Sequence, residues 1–346
     1  MIRIPDVDLR QPSSLQTVAE TLAEHGEDAM LVAGGTDLYP KMKRRQFTPD
    51  VLVSLAEVDD LEGIRSDGSE LVIGSRTPLK TVAEDARFRR EYPAVAEAAD
   101  AVSTPTLRRM GSIGGNLCQD TRCSYYDQSL AWRESIGWCM KAPDSEGYSP
   151  EGAMNSTGDV NVPCRVAPGS PRCWAVFASD TAPALIVHDA TVRLVGAEGD
   201  RTVPLQEFYR DDGIDHLRKT NDEILTEIRV PATDDRESTY RKLARRETFD
   251  FPSLGVAVAV RQAGDAVIEA AEIAVSGIGS APVVPESASA QLEGTMPTND
   301  VLESVGEAVA DAIRPLDNTD FHPSHRNQMA AVYTKRALRS VTANAE

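Results

Sequence analysis

The segment Val32-Ala33-Gly34-Gly35-Thr36-Asp37-Leu38 decides the fold of the first part of this chain. It continues a short apolar run over 30–33, which predicts a buried strand, and its two glycines permit positive φ angles. Apolar residues at helical spacing predict a helix over 15–30, and a second apolar run predicts a strand over 51–55. This helix and the two strands predict a small α/β lobe with parallel strands.

A second glycine segment, Gly111-Ser112-Ile113-Gly114-Gly115-Asn116, repeats this chemistry further along the chain. In both segments the glycines let backbone N–H groups come close to an anion, and a hydroxyl side chain stands beside them. Neither segment matches the dinucleotide pattern G-x-G-x-x-G or the Walker pattern. Each segment alone is equally consistent with a tight turn between a strand and a loop. The two together favour a site that binds a pyrophosphate group.

Beyond residue 60 the pattern predicts further strands, a long loop and C-terminal helices. Gly, Ser, Pro, Asp and Asn are dense over 140–163, which predicts an irregular loop, and the polar run over 232–237 predicts a boundary between lobes. A loop this long inside a domain is usually functional or disordered, and cysteines at both of its ends favour function. Strands are predicted over 71–74, 191–195, 225–230, 255–261 and 268–275, and helices over 79–85, 94–101, 300–313 and 324–341.

The charge and hydropathy of the chain argue against two classes of function. The net charge of −18 argues against binding to a nucleic-acid backbone. The longest apolar stretches, such as 254–260, are far shorter than the ~20 residues that a membrane span needs. The first residues lack the apolar segment of a secretory signal. We therefore expect a cytoplasmic protein with neither nucleic acid nor membrane as a partner.

All five cysteines of the chain lie within 56 residues, between Cys118 and Cys173. Their odd number argues against disulfides in a chain that is expected in the cytoplasm. Four thiolates suit a cubane iron–sulfur cluster. Structural zinc usually brings a close C-x₂₋₄-C pair, and four residues separate Cys118 from Cys123, so zinc stays an alternative. Because the cysteines directly follow the second glycine segment, a redox centre or a metal is expected next to the glycine-lined site.

The two glycine segments resemble the flavin-binding signatures of the medium, FAD-binding subunit of the xanthine dehydrogenase family of molybdenum hydroxylases. The later segments 179–185, 223–225, 242–246 and 333–338 also resemble family landmarks in the same order, so the resemblance covers nearly the whole chain. It implies an α+β fold like that of the CO dehydrogenase flavoprotein. A two-lobed FAD-binding domain comes first and a C-terminal α+β lobe with an antiparallel sheet follows. The implied ranges are a small parallel α/β lobe over 1–58, a mainly antiparallel lobe over 59–232 and the C-terminal lobe over 233–346.

The same resemblance implies FAD as the cofactor and gives each matching residue a role. The first glycine segment is expected to bind pyrophosphate and adenosine through its backbone, and the second segment is expected to complete the cradle. Asp180 is expected on a strand over 179–185, where it would bind the ribityl hydroxyls of the flavin. The residues implied are Ala33, Gly34, Gly35, Thr36, Asp37 and Leu38, then Ser112, Gly115 and Asn116, then Asp180, with Leu225 and Lys242 near the flavin ring.

The cysteine segment resembles one branch of the family, the β subunit of 4-hydroxybenzoyl-CoA reductase, which has an extra loop with a [4Fe–4S] cluster. The stretches 120–126, 138–141 and 167–176 carry this resemblance, and it implies an inserted loop over about 118–174. The ligands that it implies are Cys123, Cys139, Cys164 and Cys173, at intervals of 16, 25 and 9 residues. The middle interval is longer than the branch pattern, so Cys118 stays an alternative to Cys164.

The resemblance implies an electron-transfer subunit with no catalytic residue of its own. Its partners would be a large subunit with the molybdenum cofactor and a small subunit with [2Fe–2S] clusters. Reduced ferredoxin would be the donor for reductive dehydroxylation of 4-hydroxybenzoyl-CoA to benzoyl-CoA, a step of aromatic degradation. Two alternatives stay open. One is the FAD subunit of a related hydroxylase that works oxidatively, and the other is a zinc-stapled structural subunit without flavin.

Overall fold

The computed structural model describes residues 3–142, 162–233, 235–264 and 266–342 of the chain. Among these residues three sheets form in chain order, and each lies within one of the three ranges predicted as lobes. The boundaries after residues 58 and 232 themselves stay predictions. Most of the irregular loop predicted over 140–163 lies outside the described residues. Within those residues, no helix has the length and apolar character to cross a bilayer.

The first sheet is parallel, as its sequence predicts, with strand order β1-β3-β2. Helix α1 packs Val18 and Leu22 against this sheet, where both side chains are fully buried. The helix predicted over 15–30 is too long, because Gly26 ends α1 with a φ of 54°. The elements are β1 (Asp8–Arg10), α1 (Leu15–His25), β2 (Ala29–Val32), α2 (Leu38–Lys43) and β3 (Val51–Ser54).

The second sheet has five antiparallel strands in the order β4-β5-β8-β6-β7. Its apolar face and the short helices form one core around Ile73, Phe88, Leu185 and Ile228. The strands are β4 (Ile64–Asp67), β5 (Glu70–Gly74), β6 (Thr191–Gly196), β7 (Gly199–Pro204) and β8 (Ile224–Val230). The helices are α3 (Leu79–Glu84), α4 (Ala86–Glu91), α5 (Pro93–Ala101), α6 (Pro105–Arg108), α7 (Ile113–Leu117), α8 (Leu130–Ser135) and α9 (Thr181–Ile186).

The strand expected over 179–185 is wrong, because this segment forms helix α9. Ser179 Oγ accepts a hydrogen bond from Ala182 N at 3.0 Å, which starts a helical turn. Asn116 Oδ1 accepts another from Thr181 N at 3.3 Å. A short apolar run fits a buried strand and a buried helix equally well. The side chain of Asn116, distant in sequence, therefore contributes to a conformation that the local pattern does not determine.

The third sheet is antiparallel, with the order β11-β10-β9, and two long helices cover one of its faces. Val256, Ile273, Leu302 and Leu338 are fully buried between the sheet and these helices. The elements are β9 (Glu237–Leu243), β10 (Leu254–Gln262), β11 (Ile268–Ser276), α10 (Glu286–Ser289), α11 (Asn299–Ala312) and α12 (Pro323–Val341).

Strand β9 joins the C-terminal lobe to helix α5 of the second lobe. Glu97 accepts a hydrogen bond from Tyr240 N at 2.8 Å, and Ala94 N donates to Ser238 Oγ at 3.2 Å. These contacts fix the side chains of β9 relative to the second lobe. The predicted α+β fold, with parallel and antiparallel sheets followed by a C-terminal antiparallel sheet, is confirmed.

Candidate functional site

A large cavity, here called the glycine-lined cavity, lies where the three lobes meet. Its volume is about 780 Å³, which is within the usual range for small-molecule and cofactor sites. Both glycine segments, the start of α9 and the loop before β10 line it. Every residue predicted to contact the flavin lines this cavity except Lys242, and they are Ala33, Gly34, Gly35, Thr36, Asp37, Leu38, Ser112, Gly115, Asn116, Asp180 and Leu225.

The two glycine segments touch each other, which leaves no room for side chains at two positions. A Cβ at Gly34 would overlap the backbone carbonyl of Met110, and a Cβ at Gly35 would overlap the ring of Tyr39. Gly35 also has a φ of 65°, which favours glycine. The N–H groups of residues 34–38 have no hydrogen-bond acceptor among the described residues. This backbone can therefore donate to an anionic group in the cavity.

In the second glycine segment, by contrast, backbone N–H groups donate hydrogen bonds to other groups of the protein. Gly115 N donates to Ser112 Oγ at 3.1 Å, and Gly114 N donates to Ser75 O at 2.8 Å. Asn116 Oδ1 accepts hydrogen bonds from the hydroxyls of Ser179 and Thr181, both at 2.7 Å. The second segment therefore shapes the cavity and fixes the start of α9.

Asp180 is held at the cavity by two side chains of β9. Tyr240 Oη donates to Asp180 Oδ1 at 2.8 Å, and Lys242 Nζ lies 3.1 Å from the same oxygen. Burial raises the pKa of Asp180, and the charge of Lys242 opposes this rise. Lys242 also donates to Ala101 O at 2.8 Å, so it lies behind Asp180 and orients it.

Several residues of the cavity were not predicted from the sequence. Gln119 Nε2 is buried and has no hydrogen-bond partner in the described part of the chain, and Gln119 O lies 3.0 Å from His216 Nε2. Burial lowers the pKa of His216. At the mouth, Phe249 and Phe251 are 56% and 46% exposed, which is unusual for two phenylalanines so close in sequence. An unpaired buried donor and exposed apolar rings fit a cavity that accepts a polar and aromatic ligand.

A second, much smaller cavity, here called the cysteine cavity, has a volume of about 10 Å³. The four cysteines implied as ligands all line it, namely Cys123, Cys139, Cys164 and Cys173. Cys118 lines the glycine-lined cavity instead. The structure thus brings the four predicted positions together and separates the fifth cysteine from them.

Contacts distant in sequence assemble the cysteine cavity. Arg122 pairs with Val176 through two main-chain hydrogen bonds of 2.7 and 2.6 Å, which places Cys123 beside Cys173. Gly213 N donates to Cys173 O at 2.9 Å. Burial raises the pKa of Cys123 to about 12 and that of Cys173 to about 11. Thiols in this environment need a bound cation before they become thiolates.

Within the described part of the chain, no group of three or more His, Cys, Asp or Glu side chains could hold a single metal ion. The predicted [4Fe–4S] cluster is therefore without support from a preformed metal site, and the four cysteines stay predicted ligands.

Two lysines that were not predicted lie in the wall between the cavities. Lys41 Nζ lies 2.8 Å from Asp120 Oδ2, and Lys141 Nζ lies 2.6 Å from Asp120 Oδ1. Burial favours a higher pKa for Asp120, but the charges of Lys141 and Lys41 keep it well below its usual value. Only seven lysines occur in the chain. This scarcity is the one sequence signal that could have pointed to the two positions.

Comparison with known proteins gives two matching family models. The model described as the FAD binding domain in molybdopterin dehydrogenase matches residues 5–233. The model described as the CO dehydrogenase flavoprotein C-terminal domain matches residues 238–341. Together they cover nearly the whole described chain, and the first alone covers more than half of it.

Individual relatives agree with these models. The carbon monoxide dehydrogenase medium chain of Hydrogenophaga pseudoflava is 26% identical over 341 residues, which are 98% of each chain. The aldehyde oxidoreductase FAD-binding subunit PaoB of Escherichia coli K12 is 28% identical over 336 residues, which are 93% of each chain. A crystal structure of the Cu,Mo-CO dehydrogenase matches with a TM-score of 0.77 and 25% identity, covering 98% of this chain and 99% of that one. The chain therefore belongs to the family of FAD-binding medium subunits of the molybdenum hydroxylases, and it is an oxidoreductase subunit.

Proposed function

We propose that this chain is the FAD and [4Fe–4S] electron-transfer subunit of a 4-hydroxybenzoyl-CoA reductase. The observation that carries the proposal is the convergence of Cys123, Cys139, Cys164 and Cys173 on one buried cavity beside the glycine-lined cavity. A subunit that only exchanged electrons between a flavin and its partners would need no second, thiol-lined cavity. Two neighbouring redox centres explain both cavities at once.

The flavin assignment rests on residues of the glycine-lined cavity. The free N–H groups of residues 34–38 would bind the pyrophosphate, since this backbone has no acceptor among the described residues. Asp180, oriented by Tyr240 and Lys242, would accept hydrogen bonds from the ribityl hydroxyls. Leu225 would contact the flavin ring. FAD, when bound, supplies an electron carrier that works one or two electrons at a time.

The cluster assignment rests on the chemistry of the cysteine cavity. Four thiols suit a cubane cluster, and the rest of the lining combines aromatic and aliphatic side chains with two cations, Lys141 and Arg165. Ala175 N lies 3.4 Å from Cys173 Sγ, and N–H groups that point at ligand sulfurs are one of the features that set cluster potentials. A single zinc ion would need all four sulfurs within about 2.3 Å of one point, so the metal and sulfide content of the purified complex separates zinc from a cluster.

Partners and donor follow from this assignment. The matched relatives are named as a medium chain and an FAD-binding subunit, which supports a large molybdenum-cofactor subunit and a small [2Fe–2S] subunit as partners here. A low-potential cluster at the point of electron entry fits reduced ferredoxin as the donor. A second candidate is an FAD subunit of an oxidative hydroxylase, because the relatives carry the names of a dehydrogenase and an oxidoreductase.

The test is anaerobic purification of the complete complex, followed by iron, sulfide, zinc and flavin analysis and EPR after dithionite reduction. We expect about four irons and about four sulfides at this subunit per FAD, beyond those of the [2Fe–2S] partner. Cys173→Ser should abolish the cubane signal, whereas Cys118→Ser should keep it, because Cys118 lies in the other cavity. FAD with no such iron, or with one zinc, would overturn the cluster and leave the second candidate. Reduction of the flavin by reduced ferredoxin would then separate the reductive direction from the oxidative one.

A further inference from the structure

The wall between the two cavities contains one ion pair that reaches both of them. Asp120 lines the glycine-lined cavity, and Lys141 lines the cysteine cavity. Lys141 Nζ lies 2.6 Å from Asp120 Oδ1. This one ion pair therefore connects the two cavities electrostatically.

Lys141 is held in one position. Its side chain is only 6% exposed, and its ammonium group donates to Thr121 Oγ1 at 2.8 Å and to Gly213 O at 2.5 Å as well as to Asp120. The same nitrogen lies 5.0 Å from the ring centre of Tyr126, another residue of the cysteine cavity. These contacts use all three of its N–H groups. Its charge is therefore fixed beside the four thiols.

The other charges in the wall are paired. Lys41 Nζ lies between Asp120 Oδ2 at 2.8 Å and Asp127 Oδ1 at 3.4 Å, and Arg122 forms an ion pair with Asp37. Replacing Lys141 by a neutral residue therefore removes one positive charge from the wall, and replacing Asp120 by a neutral residue removes one negative charge. In a site away from water, one unit of charge acts strongly on a neighbouring centre whose own charge changes.

We propose that Lys141 raises the reduction potential of the centre held by the four cysteines and that the negative charge of Asp120 lowers it, while Thr121 and Gly213 keep the lysine in place. Reduction of a cluster adds one electron, and a nearby positive charge stabilises the reduced form. The inference rests on the proposed function, because it needs a cluster in the cysteine cavity. It assigns a function to a residue outside the ligand set.

The test is an EPR-monitored redox titration of the complex, with its flavin and iron contents measured on the same samples. Lys141→Gln should lower the midpoint potential, so that the ratio of reduced to oxidised cluster at the wild-type midpoint falls about tenfold, which is 59 mV for one electron. Lys141→Arg keeps the charge and should stay near the wild-type value. Asp120→Asn removes the negative charge and should shift the potential upward. Lys80→Gln is the matched control, because Lys80 pairs with Glu84 on the surface.

The opposite signs separate an electrostatic role from damage to the fold. If the two residues had only a structural role, Lys141→Gln and Asp120→Asn would shift the midpoint potential in the same direction. That outcome would overturn the inference. An unchanged potential in Lys141→Gln with full iron content would also overturn it while leaving the proposed function intact. Wild-type complex without iron at this subunit would overturn the cluster assignment and this inference together.

Discussion

The glycine-lined cavity and the cysteine cavity share a wall but are built from different parts of the polypeptide. In the first, the backbone of two glycine segments forms the surface, and side chains such as Asp180 complete it. In the second, four thiols and aromatic side chains form the surface, and contacts such as the pairing of Arg122 with Val176 bring them together. A substitution should therefore act through backbone position in the first cavity and through a lost ligand atom in the second.

Gly34→Val should have the largest effect on the flavin content and should act on one cavity only. A Cβ at this position would overlap the Met110 carbonyl, so the two glycine segments would have to move apart. We expect the purified variant to keep about a tenth or less of the wild-type FAD, which corresponds to at least about 1.4 kcal/mol of lost binding. Flavin absorbance after denaturation and iron analysis of the same sample provide the measurement.

A matched control is Gly264→Ala, since a Cβ there meets no atom of a described residue beyond its chain neighbours within 4 Å. This control should keep both flavin and iron at wild-type levels. Loss of iron along with FAD in Gly34→Val would show that the two cavities do not form independently.

Lys242→Met should have the largest effect on stability, through the fold around Asp180. Lys242 pairs with a carboxylate whose side chain is 3% exposed. Removing one partner of a buried pair leaves the other charge uncompensated, at a cost of about 3–5 kcal/mol. Urea unfolding of the complex, followed by flavin release, measures the loss. Lys335→Met is the control, because its pair with Glu303 lies at the surface and should cost at most about 1 kcal/mol. Equal losses in the two variants would contradict the role given to Lys242.

The sequence predicts the glycine-lined cavity well because its chemistry is local. Two glycines in a row restrict the backbone wherever they occur, and the segments around Gly34 and Gly115 do line one cavity. The strand predicted around Asp180 is wrong, because this segment forms a helix. There a single distant side chain, Asn116, helps to fix a helix that the local apolar pattern does not predict.

The wall between the cavities is less predictable from the sequence, because it too depends on contacts between residues that are distant in the chain. Asp120, Lys41 and Lys141 are far apart in sequence or lie in irregular segments, and no periodic pattern links them. Their burial becomes meaningful only once the fold brings three charges within ion-pair distance. Residue type predicts the ligands, whereas the tertiary structure determines the charges that act on them.

His216 gives a smaller effect that depends on pH. Burial lowers its pKa in the folded protein, so the unfolded chain binds a proton more readily, with a pKa near about 6.5. Stability therefore rises with pH through this range and is lost as the pH falls below about 6.5 toward the folded value. Urea unfolding between pH 5 and pH 8 should show this loss in the wild type and a flatter profile in His216→Gln. An identical profile in both proteins would contradict the assignment.

Phe251→Leu should have the smallest effect and gives the most direct test of the separation. The guanidinium of Arg122 lies 3.5 Å from the centre of the Phe251 ring and also pairs with Asp37, while the next residue is Cys123. Losing the cation–π contact at this exposed site should cost about 0.5–1 kcal/mol in urea unfolding. Phe249→Leu is the control, because this ring is also exposed, lies in the same loop and stacks with Arg246 instead of Arg122. Arg122 contacts two residues that line the glycine-lined cavity, and its neighbour Cys123 lines the cysteine cavity. Unchanged iron in Phe251→Leu would therefore mean that main-chain pairing alone positions Cys123. Iron loss in this variant but not in the control would mean that the two cavities are mechanically joined through Arg122.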